Sequence, residues 1–132
     1  MRRENWIKTL VAAGAFVAAS IAAQAFESTK YNADTFKAAQ ANGAAVLVHV
    51  TAPWCPTCTA QHAVLQDLSS KPEYAKVMVV DVDFDTQKGV WKSLNATAQS
   101  TLIAFKGKDE TGRLVGATAS SDIEKLVQST LK

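Results

Sequence analysis

Beyond residue 25, apolar residues in this chain are concentrated in three short runs, which are Ala44–Val50, Val77–Asp83 and Thr101–Phe105. The first run is apolar at every position except His49, which is typical of a strand that is covered on both faces. The second run is rich in β-branched residues, which favour extended structure. The pattern therefore predicts a central sheet with at least three buried strands.

Stretches with helical spacing alternate with these runs. A helix is expected from Asn32 or Asp34 to about Asn42, with Gly43 as its stop signal. A second helix is expected from Cys55 to about Ser69, and a short third one over Thr86–Asn95. For the second helix, the spacing predicts an inward face made of Ala60, Ala63, Val64 and Leu68.

The C-terminal part predicts a hairpin followed by a helix. Gly107–Gly112 is a polar stretch expected to form the turn, and Arg113–Gly116 would return beside Thr101–Phe105. Ser121 to Glu124 reads as a capping box at the start of the last helix, whose apolar stripe is Ile123, Leu126, Val127 and Leu131. With a short edge strand within Phe26–Tyr31, this order predicts a single-domain α/β fold, in which helices flank a central mixed sheet.

The first 25 residues have the composition of a secretory signal. Basic residues precede an uncharged run from Leu10 to Ile21, and Ala23-Gln24-Ala25 follows it. We therefore expect cleavage after Ala25, a domain at 26–132 and a periplasmic location. The less favoured alternative is a retained membrane anchor formed by residues 9–26.

The charged residues do not indicate a particular binding partner for the predicted domain. The chain has 14 basic and 12 acidic residues, and removing the signal with Arg2, Arg3, Glu4 and Lys8 would leave 11 of each. A neutral domain gives no indication of nucleic-acid binding. Export would also place the cysteines in a compartment where disulfides persist.

The only two cysteines lie at the junction between the first strand and the second helix, in Trp54-Cys55-Pro56-Thr57-Cys58. A thiol at a helix N-terminus faces unpaired N–H groups and the positive end of the helix dipole, which favour the thiolate. A purely structural disulfide is less favoured, because closing so short a loop stabilises by only about 2 kcal/mol. Zinc binding by Cys55, Cys58 and His62 is also disfavoured, since no fourth ligand is evident.

The Trp54–Cys58 motif, together with Val46–Val50, Val77–Asp85, Ser100–Gly107 and Gly116, gives the chain a resemblance to the thioredoxin family. The resemblance implies a thioredoxin fold and thiol–disulfide exchange without a cofactor or metal. Cys55 would attack and Cys58 would resolve the mixed disulfide. It also implies protein thiols and disulfides as substrates, with a membrane-embedded thiol reductase or oxidase as a candidate electron partner. We expect a monomer.

Within the motif, Trp54 is expected to shield the cysteines and to offer an apolar contact to substrate. Pro56 and Thr57 form the spacer, which resembles that of glutaredoxins and periplasmic disulfide oxidants more than the Gly-Pro of reducing thioredoxins. This favours a less reducing potential.

The chain departs from the family at the position of its cis-proline, which is Ser100 here. A cis bond before a non-proline residue costs about 2.5–4 kcal/mol, so we expect the Gln99–Ser100 bond to be trans. Our hypothesis is that this loop presents a different backbone edge to substrate and that Ser100 adds a hydroxyl near Cys55.

Two further departures concern buried charge. His49 replaces the family's buried aspartate, and Asp81 replaces its partner lysine. We expect the two side chains to pair, and two interpretations are open. His49 either accepts the proton of Cys58 during exchange or is a hydrogen-bonded core histidine that satisfies Asp81.

Two further residues and two rival functions remain to be considered. His62 is expected at the surface or its boundary and Trp91 in the core or at its boundary, both outside the catalytic set. Rival functions are a copper-handling protein that uses the reduced cysteine pair, and a binding module whose cysteines are incidental.

Overall fold

The computed structural model describes Gly14 and residues 26–132. The predicted signal at 1–25 therefore lies outside the described residues, except for Gly14. The elements in chain order are β1 (Ser28–Lys30), α1 (Ala33–Ala41), β2 (Ala45–Thr51), α2 (Pro56–Ser69), a 3-10 turn (Pro72–Tyr74), β3 (Met78–Asp83), α3 (Lys88–Ser93), β4 (Thr101–Lys106), β5 (Asp109–Val115) and α4 (Ser120–Ser129). Among the described residues, no helix is long and apolar enough to cross a membrane.

The five strands form one mixed sheet in the order β1-β3-β2-β4-β5. Strands β1 and β2 run parallel to β3, and β4 is antiparallel to both β2 and β5. Strand β2 is therefore central, which explains its continuous burial. The predicted α/β class with a central mixed sheet is confirmed.

Helices cover both faces of the sheet. On one face, Leu47 and Val79 pack with residues of α2 and α4, including Leu65 and Ile123. On the other face, alternate residues of the same strands pack with α1 and α3. That second cluster contains Val46, Val48, Val50, Val80, Ile103, Phe36 and Trp91. Each fully buried aliphatic side chain of this kind contributes about 1.5–3 kcal/mol.

The predicted inward face of α2 is confirmed at Leu68 and at the partly buried Val64, and it is wrong at Ala60 and Ala63. The buried residues are Cys58, Gln61, Leu65 and Leu68, whereas Ala60 and Ala63 are exposed. Cys55 is the N-cap and Pro56 the first helical residue, so the helix start fixes which positions face the sheet. The buried face of α2 contains the polar Gln61. A prediction from apolar residues alone could not include it, and it selected Ala60 and Ala63 instead.

The C-terminal predictions also need correction. Strand β5 already begins at Asp109, so the turn contains only Gly107 and Lys108. Because β5 is an edge strand, its backbone pairs with β4 while polar side chains face solvent. The expected capping box does not form, since α4 starts at Ser120 after an Ala119 N-cap without a side-chain bond. Glu124 instead accepts hydrogen bonds from Lys71 Nζ and Tyr74 Oη, at 2.7 and 2.8 Å.

Candidate active site

The two cysteines lie where central strand β2 passes into α2. Both are reduced and almost fully buried, with Cys55 3% and Cys58 1% exposed. Cys55 Sγ accepts a hydrogen bond from the backbone N–H of Cys58 at 3.1 Å, so the sulfur itself caps the helix. The position at the helix N-terminus is the one expected from the sequence.

The surroundings of Cys55 favour its thiolate. Burial opposes ionisation, but hydrogen bonds from the Cys58 thiol, the Cys58 N–H and the Ser100 hydroxyl outweigh it and lower the pKa of Cys55 below its ordinary value. The opposite holds for Cys58, where burial and donation to Cys55 raise the pKa above its ordinary value. The pair is thus divided into one sulfur prepared for attack and one that retains its proton.

The loop that carries Ser100 adopts an unusual backbone conformation. The Gln99–Ser100 bond is trans, as predicted, and Ser100 has a left-handed φ of +54°. Its Oγ lies 3.9 Å from Cys55 Sγ, and its carbonyl accepts a 2.8 Å hydrogen bond from the N–H of Gly116. A left-handed serine is strained by about 1–3 kcal/mol, and here the strain brings a hydroxyl beside the sulfur.

Sequence reasoning did not identify Gln61, which connects these parts. Its Nε2 lies 3.0 Å from Ser100 O and 2.9 Å from Ala117 O. Two carbonyl acceptors require that this atom be the NH2 group, so Oε1 is the atom 2.9 Å from His49 Nε2. The signal that could have found it was a glutamine three residues after Cys58, on the stripe that continues to Leu65.

His49 and Asp81 are neighbours, but they do not form the expected hydrogen bond. They are register partners on β2 and β3, and His49 Nδ1 lies 3.7 Å from Asp81 Oδ1. That distance is too long for a hydrogen bond, and neither of these buried atoms has another partner. The reason is Gln61, whose carbonyl oxygen accepts the Nε2 proton and leaves Nδ1 as a bare acceptor.

Burial, and then the nearby His62, lower the pKa of His49 to about 4, so the imidazole is neutral at pH 7. Burial raises the pKa of Asp81. The proton-acceptor role of His49 stays a prediction. His49→Leu tests it, because exchange rates that do not change from pH 5 to 9 would exclude that role.

His62 is half-buried beside His49, with ring centroids 4.6 Å apart and planes at 70°. The boundary position predicted for it is confirmed. Trp91 is buried at 8% exposure, as expected, and stacks on Phe84 at 4.8 Å.

Trp54 is 57% exposed beside the cysteines. Its Nε1 donates a 2.8 Å hydrogen bond to Asp85 Oδ2, and its ring meets Phe84 edge-on at 6.5 Å. Phe84 in turn packs against the cluster formed by Ala52, Cys55 and Cys58. The indole is therefore held in place with a large apolar face open to solvent.

Comparison with known proteins agrees with this geometry. The thioredoxin family model matches residues 27–129. The chain belongs to the thioredoxin family. It is accordingly a thiol–disulfide oxidoreductase with a thioredoxin fold.

Individual relatives extend the comparison. The chain is 31% identical to an H-type thioredoxin of Brassica campestris over 88 residues, which cover 67% of this chain and 69% of that thioredoxin. It is 35% identical to the protein disulfide-isomerase erp38 of Neurospora crassa over 71 residues, 52% of this chain and 19% of the isomerase. The crystal structure of Trxlp from Edwardsiella tarda superposes with a TM-score of 0.73 at 37% identity, covering 76% of this chain and 98% of that one.

Proposed function

We propose that this thioredoxin-family protein is exported and exchanges electrons with protein thiols and disulfides through Cys55 and Cys58. The observation that carries the proposal is the bond of 3.1 Å from the Cys58 N–H to Cys55 Sγ at the start of α2. A thiolate there gains a charge-assisted hydrogen bond and the favourable end of the helix dipole. Cys58, with its raised pKa, stays protonated until the attack has occurred.

The exchange proceeds in two displacements. The Cys55 thiolate attacks one sulfur of a substrate disulfide, the substrate S–S bond breaks, and the other substrate sulfur leaves as a thiolate that takes up a proton. Cys58 then loses its proton and attacks Cys55 Sγ, which releases the second substrate thiol and closes the Cys55–Cys58 disulfide. Two electrons pass from the protein to the substrate, and the reverse sequence oxidises a dithiol.

The surface around Cys55 suits an extended polypeptide. Pro53 and Trp54, which precede Cys55 in the chain, are exposed, and Ser100 Oγ lies 3.9 Å from the sulfur. The indole offers apolar contact area, and its bond to Asp85 limits the entropy lost on binding. Protein substrates are therefore better matched than small thiols alone.

Export is supported by the composition of residues 1–25 and by the start of the fold. The first strand begins at Ser28, so cleavage after Ala25 would leave every described strand and helix intact. The resulting location is the periplasm. Because that compartment is oxidising, a reductase or isomerase there needs an electron donor, for which a membrane-embedded thiol reductase is the natural source.

Equilibration of Cys55/Cys58 with glutathione tests the direction of electron flow. A potential near about −270 mV would identify a reductant, and one near about −120 mV an oxidant of substrate thiols. We expect an intermediate value, since stabilising the Cys55 thiolate stabilises the dithiol form. A pair that does not equilibrate with glutathione would contradict the enzyme mechanism.

Copper handling by the reduced pair is the alternative function. Among the residues the structure describes, the cysteines do not belong to any group of three or more candidate ligands. Titration of the reduced protein with Cu(I) distinguishes the two functions. Stoichiometric binding with poor disulfide exchange would favour metal handling over the oxidoreductase proposal.

A further inference from the structure

Three potential metal ligands converge behind the cysteine pair, and they come from three different elements. His49 belongs to β2, His62 to α2 and Asp81 to β3. One donor atom from each lies within 4.8 Å of the other two. Thioredoxin chemistry at Cys55 and Cys58 does not require such a grouping of His62 with the other two.

The hydrogen bonds of His49 leave one ring nitrogen available. Because Gln61 Oε1 can only accept, His49 Nε2 carries a proton, and in the neutral imidazole Nδ1 then carries the lone pair. That lone pair lies 3.7 Å from Asp81 Oδ1, in a place where both atoms are buried and lack a hydrogen-bond partner. Two acceptors that face each other in a desolvated site repel unless a positive centre lies between them.

We propose that His49 Nδ1, a ring nitrogen of His62 and a carboxylate oxygen of Asp81 bind a divalent first-row transition metal ion such as Zn²⁺. Two imidazoles and one carboxylate are a donor set typical of zinc sites that keep an open position. Ligands at about 2.0–2.2 Å from one tetrahedral ion lie about 3.5 Å apart, close to the 3.7 Å between Nδ1 and Oδ1.

Gln61 supplies the support that a ligating histidine needs. Metal-bound imidazoles almost always donate their other N–H to an oxygen acceptor, which fixes the ring and its tautomer. Here that acceptor is Gln61 Oε1, and Gln61 is itself held by two backbone carbonyls. The 0% exposure of His49 means that the ring cannot satisfy Nδ1 with bulk water.

A cavity gives access to the site. It has a volume of about 520 Å³, and His62, Asp81, Cys58 and Thr59 are among its lining residues. Water from this cavity can fill the remaining coordination position, while Lys30 and Asp83 contribute opposite charges to its lining. The site is separate from the thiols in its ligand set, although Cys58 borders the same cavity.

Metal titration of the oxidised protein tests the proposal, because a closed Cys55–Cys58 disulfide offers no thiolate ligand. Zn²⁺ binding is measured by calorimetry, and Co²⁺ binding by its visible absorption. We expect one ion per chain and a higher melting temperature with Zn²⁺. If neither metal shows saturable binding below about 1 mM, the proposal is wrong.

Variants then locate the site. His62→Ala and Asp81→Asn change half-buried residues, and each should weaken Zn²⁺ binding at least tenfold, whereas Asp67→Asn should not alter it. Asp67 is the matched control, an exposed carboxylate on the same helix as His62. Equal affinity in all three variants would overturn the proposal. Circular dichroism of each variant, recorded without metal, separates lost ligation from lost folding.

Discussion

The two faces of strand β2 differ in chemistry, although both are completely buried. On the α1/α3 face, Val46, Val48 and Val50 belong to one buried apolar cluster. On the α2/α4 face, the apolar residues Ala45 and Leu47 are followed by the buried polar residue His49. Beyond that point lie Gln61, Asp81, Ser100 and the two cysteines. A face that only stabilises can be apolar throughout, whereas a reactive thiol needs buried polar groups around it, and those groups need partners.

The largest expected difference between the two faces is in catalysis. Cys55→Ser should lower the rate of disulfide reduction roughly a thousandfold or more, because serine is not ionised and cannot form the mixed disulfide. Cys58→Ser should instead accumulate a mixed disulfide with substrate, visible by mass spectrometry. Reduction of a protein disulfide such as that of insulin is the assay. If the unmodified protein reduced insulin no faster than Cys55→Ser, the result would support the binding-module interpretation.

A substitution on the apolar α1/α3 face should lower the stability of the fold without changing the chemistry of the cysteines. Ile103 is fully buried within it, and Ile103→Ala should lower the free energy of unfolding by about 2–5 kcal/mol through lost burial and a cavity. Urea denaturation measures the loss. At a temperature where the variant is folded, the thiolate titration of Cys55 should match that of the unmodified protein. A shifted titration would show that the two faces are coupled.

Gln61 should affect both stability and the site. Gln61→Leu would leave the Ala117 carbonyl and the His49 Nε2–H without their partner, at about 1–3 kcal/mol for each group that water does not reach. The Ser100 carbonyl would keep only its bond from the Gly116 N–H. We expect lower stability in urea and a changed reactivity of Cys55, since the Ser100 loop loses an anchor. Leu65→Ala on the same helix is the matched control, because it should lower stability without affecting Cys55.

The smallest effects are expected in the titration of the thiols. The pKa of Cys55 is lowered and that of Cys58 raised, so iodoacetamide should modify Cys55 first, and its rate should level off at a lower pH than for an ordinary cysteine. Ser100→Ala removes a donor to the thiolate and should move this titration to higher pH by a fraction of a unit. The pH dependence of absorbance at 240 nm measures it. A shift to lower pH would contradict the proposed role of the hydroxyl.

Local sequence signals account for much of the fold. Continuous apolar runs predicted the central strands, because a strand covered on both faces has no solvated side. Cys55 at the start of a helix was predictable as well, since a strand, a proline and a helical pattern meet there. The edge strand β5 was only partly predictable, because an exposed strand can be polar without losing its backbone pairing.

The sequence by itself therefore determined the α/β class, the position of the cysteine pair and the trans bond before Ser100, since each follows from local patterns in the chain. The thioredoxin fold was implied by the resemblance to that family. Only the tertiary structure decided how the polar groups behind the pair are connected. His49, Gln61 and Asp81 come from separate elements, and the amide of Gln61 is oriented by the carbonyls of Ser100 and Ala117. That orientation places a proton on His49 Nε2 and, in the neutral ring, leaves the Nδ1 lone pair facing Asp81, because a glutamine Oε1 atom can accept a hydrogen bond but cannot donate one.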